Sequence, residues 1–567
     1  MARPLVHHLD IERPRDFRQL ALRPELGELR LVVGVGEQRI FLRKASGLIR
    51  SASPLDTFIF NIGLVSVGLG VGTIMFYGPA YYAGGDLLWS CVIAGVAMAF
   101  IAFGMITWTL TLPRSGGIYV FGSRSLPPFL ALTLSLVEIT AWLFYCAIAA
   151  FWIIKLGVGP ALAMIGYVSG SEWAANASVV VTEPWPLFLI GSAILILSGA
   201  IIAGGMKRYL LSQKIVFAAA IVGSIILIVV LLSGSREEFI AAFNATMGPV
   251  LDVENAYDAV IASAKEGGWG YEGRSWNQTW LVSNWAFLPL IGAAFSIAIG
   301  GEIKSVERSQ TWGMLGAVVG TVVIWLVTIW LADEVFGYDF LGAAVYNLLS
   351  GTGVTTPTDP SITLLAGILT GSWVVTVLVG LGLVFWMWMW IPGMHTFAVR
   401  AMVAWAFDRI APAFLGQVSA TRHTPTAAIW VSVAITVVFM ALFVFTAYFQ
   451  TIVILIEAAI LAWSIVLLAG VFFPYRRPDI YEKSPIAARK VLGLPMMTVA
   501  CALGFAAAQF YFWTLFFDDV AAGHKPEQLV IVGGVFLAGV IFYFVMKELR
   551  RTQGVDVTLA FKEIPIE

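Results

Sequence analysis

Charged side chains are scarce in this sequence. Asp, Glu, Lys and Arg together make up 12% of its 567 residues, whereas hydrophobic residues make up 59%, and the mean hydropathy is +0.86. A water-soluble chain of this length needs more charge to cover its surface. The composition therefore predicts a protein whose solvent is largely lipid.

Residues that perform catalysis or bind metals are also few. The three cysteines lie singly inside apolar stretches, a spacing that fits neither a disulfide framework nor a metal site. Only His395, of five histidines, falls in a long apolar run, and we find no Gly-x-Ser-x-Gly or His-Glu-x-x-His motif. The net charge of −1 argues against a nucleic-acid partner. We therefore expect no enzyme, no metal and no cofactor.

Long apolar runs, by contrast, are numerous. A helix needs about 20 mostly apolar residues to cross a bilayer, and the alternation typical of barrel strands is absent. The sequence predicts an all-α polytopic membrane protein. Its twelve predicted spans are 55–83, 87–111, 127–154, 185–205, 210–233, 283–300, 312–332, 362–398, 426–446, 449–473, 491–515 and 528–546.

The distribution of basic residues predicts the orientation. With twelve spans both termini lie on one side, and 29 of the 34 Lys and Arg residues fall on that side. Basic residues accumulate in cytoplasmic segments, so we expect both termini to be cytoplasmic and the protein to lie in the cytoplasmic membrane. We assign 1–50 and 550–567 to cytoplasmic segments and 234–282 to an extracellular loop.

Two spans carry residues that weaken helices. Span 1 has three glycines at alternate positions between Ser66 and Thr73, and span 6 has Pro289 before a run of small residues ending at Ala294. These spans are five apart, which predicts an inverted repeat of 51–233 and 283–474 with both helices unwound, followed by two helices within 475–549. The alternative is that the glycines only allow close helix packing.

Unwound backbone inside a membrane is tolerated where it lines a cavity or binds a ligand. The N-terminal end of the outer half of helix 1 can hold a carboxylate, and the carbonyls at the break in helix 6 can hold an ammonium group. An α-amino acid carries both groups. The predicted substrate-binding residues are Ser66, Gly68, Gly70, Gly72, Thr73, Ile291, Gly292, Ala293, Phe295 and Glu138.

Ionisable residues inside predicted spans are further candidates. Glu138 in span 3 and Glu457 in span 10 could carry a proton or contact a substrate amine, or could be neutral acids bonded between helices. His395 in span 8 could gate a proton or could be simply hydrogen-bonded. Arg400 and Asp408 fit a cytoplasmic gate network. Coupling to Na⁺ or H⁺ is possible.

Aromatic residues around span 6 could cover a bound solute. Trp285, Phe287 and Phe295 are the candidates, and ordinary core packing is the alternative for each of them.

Four stretches together resemble the amino acid–polyamine–organocation superfamily of permeases. They are Gly78-Pro79-Ala80, the loop from Leu112 to Val120, the stretch from Gly301 to Arg308, and the run from Arg400 to Pro412 with Thr424-Pro425. The resemblance implies the LeuT-like fold, with alternating access around a site between helices 1, 3, 6, 8 and 10. It also implies amino acids or amines as substrates, moved by proton or sodium coupling or by exchange.

The sequence departs from that family in places. Val306 replaces a proline, Val399 replaces a serine, and 217–222 lacks the lysine that some members use in place of sodium. The prediction is therefore a secondary transporter of amino acids or related amines. The alternatives are transport of a nucleobase, cation or anion, or a transport-fold subunit or sensor in a larger complex.

Overall fold

The computed structural model describes residues 48, 50–419, 421–446, 454–521 and 523–561. Within them, twelve helices are long and apolar enough to cross a membrane, which confirms the predicted all-α polytopic fold. Spans 1 to 12 are Pro54–Tyr81, Leu87–Thr111, Pro128–Ser169, Pro184–Ala203, Met206–Ser233, Trp276–Ala298, Val306–Phe336, Trp373–Phe407, Thr426–Phe445, Leu455–Arg476, Met496–Phe516 and Pro526–Thr552. The predictions for 1–47, 447–453 and 562–567 lie outside the described residues.

Shorter elements join the spans. Span 3 continues through a π-helical turn, Ile153–Val158, into its last segment, Gly159–Ser169. Two short antiparallel strands, Lys490–Val491 and Leu494–Pro495, precede span 11. The remaining short helices are Ile118–Gly122, Glu172–Val180, Arg236–Leu251, Ala256–Glu266, Gly300–Glu302, Tyr338–Ser350, Ile362–Thr370, Ala413–Gly416, Pro478–Tyr481 and Val557–Phe561.

The predicted single span 362–398 is wrong. A short helix, Ile362–Thr370, ends at Gly371 in the left-handed conformation, and span 8 starts at Trp373. The side chain of Ser372 accepts a hydrogen bond from the Val375 amide and so caps span 8. Glycine ends one helix and serine begins the next, although the surrounding sequence is apolar throughout.

The start of span 6 also differs from the prediction. The helix begins at Trp276, capped by Ser275, and not at 283. The predicted loop 234–282 is folded, because the helices Arg236–Leu251 and Ala256–Glu266 occupy it.

The folded loop 234–282 covers one end of the bundle through aromatic packing. Phe243 and Tyr257 pack on Phe340 with ring centroids 4.8 and 4.6 Å apart.

We name the two ends of the bundle by their predicted charge. The basic face is the end where span 1 begins at Pro54, and the acidic face is the opposite end. At the basic face, the amide of Lys304 donates to the carbonyl of Ala52 over 2.9 Å, and the amide of Gly116 donates to the carbonyl of Ala298 over 2.9 Å. These bonds connect the loop after span 2 to the last residue of span 6, and the start of span 1 to the chain that follows span 6.

The acidic face is closed around the end of span 1. Trp269 donates through its indole nitrogen to the carbonyl of Pro79 over 3.1 Å. The carbonyl of Gly85 accepts hydrogen bonds from Arg274 (2.6 Å) and Tyr338 (2.8 Å). Spans 1 and 6 are therefore held at both ends. The five-plus-five inverted repeat stays a prediction.

Candidate functional site

Span 1 is interrupted at a single residue. Its first half, Pro54–Val65, ends at Ser66, whose φ of 54° and ψ of 67° are left-handed, and its second half runs from Val67 to Tyr81. A non-glycine residue in this conformation costs on the order of 1–3 kcal/mol, so the surrounding packing must enforce it. The first amides of a helix have no partner within it and carry partial positive charge. The second half therefore presents an anion-attracting end at Ser66.

The predicted unwinding across Gly68, Gly70 and Gly72 is wrong, because all three are helical. Gly70 lies against the indole ring of Trp325 in span 7, and the indole nitrogen donates to the carbonyl of Val67 over 2.8 Å. A Cβ on Gly68 or Gly70 would overlap side chains of the neighbouring spans. These two glycines therefore allow close packing, which was the alternative interpretation.

Thr73 lies in the same helical turn as these glycines. Its hydroxyl donates to the carbonyl of Gly70 over 3.2 Å. Thr73 is therefore bonded within its own helix.

Span 6 changes helix type partway along. It is α-helical to Leu290 and continues as a 3₁₀ helix from Ile291 to Ala298. Pro289 is the second-last residue of the α-helical part, so the change of helix type follows the proline directly and lies within the predicted segment 289–294. All eight residues of the 3₁₀ segment are buried, Ala293 among them. Long 3₁₀ segments inside a helix are unusual and mark strain or a hinge.

The two interruptions meet at Gly292. A Cβ on this glycine would overlap the carbonyl group of Leu64 and approach the amide nitrogen of Val65 to 2.7 Å. Only glycine allows the backbone of span 6 to approach that closely. The structure thus brings together the predicted site residues Ser66, Ile291, Gly292 and Ala293.

A buried polar network holds the same two helices together. The side-chain oxygen of Asn61 accepts from the amide of Ser296 (2.8 Å), and its amide nitrogen donates to the Ser296 hydroxyl (3.0 Å). The Ser296 hydroxyl donates to Gln310 in span 7 over 2.5 Å, and Gln310 donates back to the Ser296 carbonyl over 3.2 Å. Sequence reasoning missed these residues, although a lone asparagine between Phe60 and Ile62 was a visible signal.

Glu138 lies inside an aromatic cluster beside the 3₁₀ segment. Its carboxyl group accepts a hydrogen bond from the indole of Trp463 over 2.5 Å, and its second oxygen accepts none from the described residues. Phe295 packs against Trp142 and Trp463, with ring centroids 4.8 and 5.7 Å apart. Glu138 is therefore connected to the 3₁₀ segment of span 6 through the side chains of Trp463 and Phe295.

The three aromatic residues predicted to cover a bound solute lie in different parts of the bundle. Trp285 stacks on Tyr77 in the second half of span 1, with ring centroids 4.4 Å apart. Phe287 stacks on Tyr511 in span 11, with ring centroids 3.8 Å apart. Phe295 contacts Phe397 in span 8 at 5.0 Å, which places it between the breaks and the basic face.

His395 lies among three helices. Its two ring nitrogens are 2.7 Å from the hydroxyl of Ser198 in span 4 and 3.1 Å from the hydroxyl of Thr436 in span 9. The ring is fully buried. This is the hydrogen-bonded arrangement that was the alternative to a proton gate.

Two buried ion pairs close the basic face. Arg400 in span 8 donates to both carboxylate oxygens of Glu302, over 2.6 and 3.1 Å. Arg124 pairs with Asp408 at 2.9 Å, and Tyr119 donates to the same carboxylate over 3.0 Å. Arg400 and Asp408 thus each belong to a buried ion pair at this end of the bundle, and their role in a gate stays a prediction. Their partners Glu302 and Arg124 were not identified as site residues.

Comparisons with known proteins agree with this architecture. The sequence pattern of a family described as amino acid permease matches residues 53–542. The chain is also similar to a branched-chain amino acid permease of Lactococcus lactis subsp. cremoris. The two are 25% identical over 510 residues, which cover 86% of this chain and 94% of that protein.

We expect Gly292→Ala to abolish solute uptake while the protein still inserts, because its Cβ would separate spans 1 and 6 at their interruptions. Gly320→Ala is the matched control, since its Cβ would also face span 1 but at an ordinary 3.6 Å from Ile62. Uptake into proteoliposomes measures both variants. Normal uptake by Gly292→Ala would show that the contact is not needed.

We expect Glu302→Gln to destabilise the protein by about 3–5 kcal/mol, because it leaves the Arg400 guanidinium buried without its partner charge. The double variant Glu302→Gln/Arg400→Gln should recover part of this loss. The control is Glu307→Gln, whose pair with Arg489 is half exposed and is worth less than about 1 kcal/mol. The measurement is thermal unfolding in detergent. Equal losses for Glu302→Gln and Glu307→Gln would contradict the expectation.

Proposed function

Since this chain belongs to the amino acid permease family, we propose that it carries amino acids with apolar side chains across the cell membrane by alternating access. Amino-acid transport itself follows from the family and from the name of the related permease. The apolar side chain, the mode of transport, the membrane and the absence of catalysis are the proposed parts. The contact of the two interrupted helices at Gly292 carries the proposal.

The backbone supports a zwitterionic solute. The second half of span 1 begins at Ser66, where unpaired amides and the helix dipole favour a carboxylate. The first half of span 1 ends at Val65, directly beside Gly292, and carbonyl groups at a helix end favour an ammonium group. Helix ends that favour a carboxylate and an ammonium group therefore meet at Ser66, and separation of spans 1 and 6 would make both available to a solute.

The side chains beside this region support an apolar substrate. Met389 of span 8 packs on Gly63, and Leu64 packs on Gly393. Phe295 is buried against Trp142 and Phe397. Surfaces of this kind stabilise a hydrocarbon side chain by about 25 cal/mol per Å² of buried area and penalise a charged one. The related protein is named as a branched-chain permease, which points the same way.

The ends of the bundle support alternating access. The pairs Arg400–Glu302 and Arg124–Asp408 close the basic face and link span 8 to the chain segments that follow spans 6 and 2. Release of a solute toward this face requires the pairs to separate. The excess of Lys and Arg at the basic face supports a cytoplasmic location for it.

Uptake of labelled amino acids into proteoliposomes tests the proposal. We expect uptake of leucine, isoleucine or valine, with competition by other apolar amino acids and little competition by lysine or glutamate. Assays with and without Na⁺, at two pH values, identify the coupling ion. Selective uptake of a cationic amine, or no uptake of any amino acid, would overturn the proposal.

We expect Glu138→Gln to weaken the pH dependence of uptake, because Glu138 is the buried carboxyl group beside the 3₁₀ segment and glutamine cannot exchange a proton. The control is Glu334→Gln in span 7, whose residue is exposed. Uptake at pH 5.5 and 7.5 is compared in both variants. An unchanged pH profile in Glu138→Gln would exclude this residue as a proton carrier.

A further inference from the structure

Two buried carboxyl groups lie together at the acidic face, apart from the break in span 6. Glu457, near the start of span 10, is fully buried, and Asp518, between spans 11 and 12, is 4% exposed. We call the described residues between these spans, 517–521 and 523–525, loop 11–12. The backbone of Gly523 in this loop packs directly on the carboxyl group of Glu457. One loop thus contributes Asp518 and covers Glu457.

Asp518 connects loop 11–12 to spans 1 and 6. The hydroxyl of Tyr82, one residue after span 1, donates to its carboxyl group. The amide group of Asn284 in span 6 lies next to the same carboxyl group. The Asn284 oxygen accepts a hydrogen bond from Thr514 over 2.9 Å. The loop is therefore anchored to the end of span 1 and to the first half of span 6, two helices that must move during alternating access.

Among the described residues, neither acid of this cluster is paired with a positively charged side chain. Neither oxygen of Glu457 accepts a hydrogen bond, and the Asn284 nitrogen donates none, within the part of the chain that the structure describes. No ion pair between described residues includes Glu457 or Asp518. An ionised carboxylate buried without a partner is so costly that such a group neutralises instead. The cluster therefore needs a bound cation.

The geometry favours a proton over a metal ion. A metal ion requires several oxygen ligands and space between them. Here Gly523 packs on the Glu457 carboxyl group without room for even a methyl group. Tyr82 donates its hydroxyl hydrogen to Asp518, and the Asn284 oxygen already accepts a hydrogen bond from Thr514. A proton needs no additional volume.

We propose that Glu457 and Asp518 bind a proton that holds loop 11–12 closed over the end of span 1 and the first half of span 6. This latch gates the acidic face and so rests on the transport function proposed above. Protonation removes the repulsion between the two acids. Loss of the proton leaves two buried negative charges, which are relieved when the loop lifts and water enters.

The other titratable groups facing the pair do not supply this charge. Tyr82 comes from span 1, Tyr145 from span 3 lies near Glu457, and Asp519 and His524 belong to the loop itself. The side chain of Asp519 is fully exposed, and that of His524 is 39% exposed. Burial raises the pKa of Asp518 above the ordinary aspartate value, which agrees with a protonated site.

The raised pKa of Asp518 determines how the stability of the folded protein changes with pH. The folded state binds the proton more tightly than the unfolded state, so the stabilisation is full below the ordinary carboxyl pKa. It is lost as the pH rises through the higher value of the folded protein.

Thermal unfolding of the full chain in detergent, from pH 4.5 to 8.5, tests the latch. We expect the Tm of the wild type to fall as the pH rises. Glu457→Gln, which keeps the shape of a protonated glutamic acid, should flatten this dependence, and Asp518→Asn should do the same. Asp519→Asn is the matched control and should retain the wild-type slope. Equal slopes in the wild type and Glu457→Gln would overturn the proposal.

A labelling experiment measures opening of the loop directly. Ala521 is 1% exposed, and the three native cysteines are buried. We expect the maleimide labelling rate of Ala521→Cys, corrected for the thiolate fraction, to rise at least severalfold between pH 5.5 and 8, and Glu457→Gln to suppress that rise. A pH-independent corrected rate would overturn the proposal. Slower labelling of Ala521→Cys on addition of NaCl at constant pH would also overturn the proposal, because it would indicate that a metal ion is bound. Neither readout depends on transport, so failure of the latch is distinguishable from failure of the transport function.

Discussion

The contact between Gly292 and the backbone of Leu64 and Val65 determines where both interrupted helices can lie. It is possible only because span 6 lacks a side chain at that position and because span 1 turns at Ser66. The hydrogen bonds between Asn61, Ser296 and Gln310 then hold the two spans in register across 235 residues of sequence. In a membrane interior, unpaired backbone is tolerated only beside protein or a ligand, which is why the proposed solute site lies at this contact.

The ends of the bundle are closed by different chemistry. At the basic face, fully buried arginine–carboxylate pairs provide strong but separable contacts. At the acidic face, tyrosine and tryptophan side chains bond to backbone carbonyls, and two carboxyl groups lie close together without an ion pair to any described residue. Opening the first end exposes charges that water stabilises at once. Opening the second end depends on whether the carboxyl groups carry a proton.

Much of the fold is predictable from sequence, because a run of about 20 apolar residues has few alternatives to a spanning helix. The exact position of the break in span 1 was not predictable from the sequence. Glycine has low helix propensity whether it unwinds or packs closely, and only the position of Trp325 beside Gly70 distinguishes the two. The end of the helix before span 8 was not predicted, because the residues on both sides of it are apolar. The signal present was Gly371-Ser372, in which glycine ends one helix and serine caps the next. The pairing of Asn61 with Ser296 depends on tertiary contact and has no local signal.

The helix type of the second part of span 6 sets its length. Eight residues from Ile291 to Ala298 rise about 2.0 Å each as a 3₁₀ helix, or about 16 Å in all, whereas the same residues would cover about 12 Å as an α-helix. Rewinding this segment would shorten it by about 4 Å without detaching either end from the chain. Since Glu302 follows within a few residues and is bound to Arg400, such a shortening would pull on span 8 along the membrane normal. A change of helix type at the contact with span 1 would thus displace span 8 along its axis at the basic face.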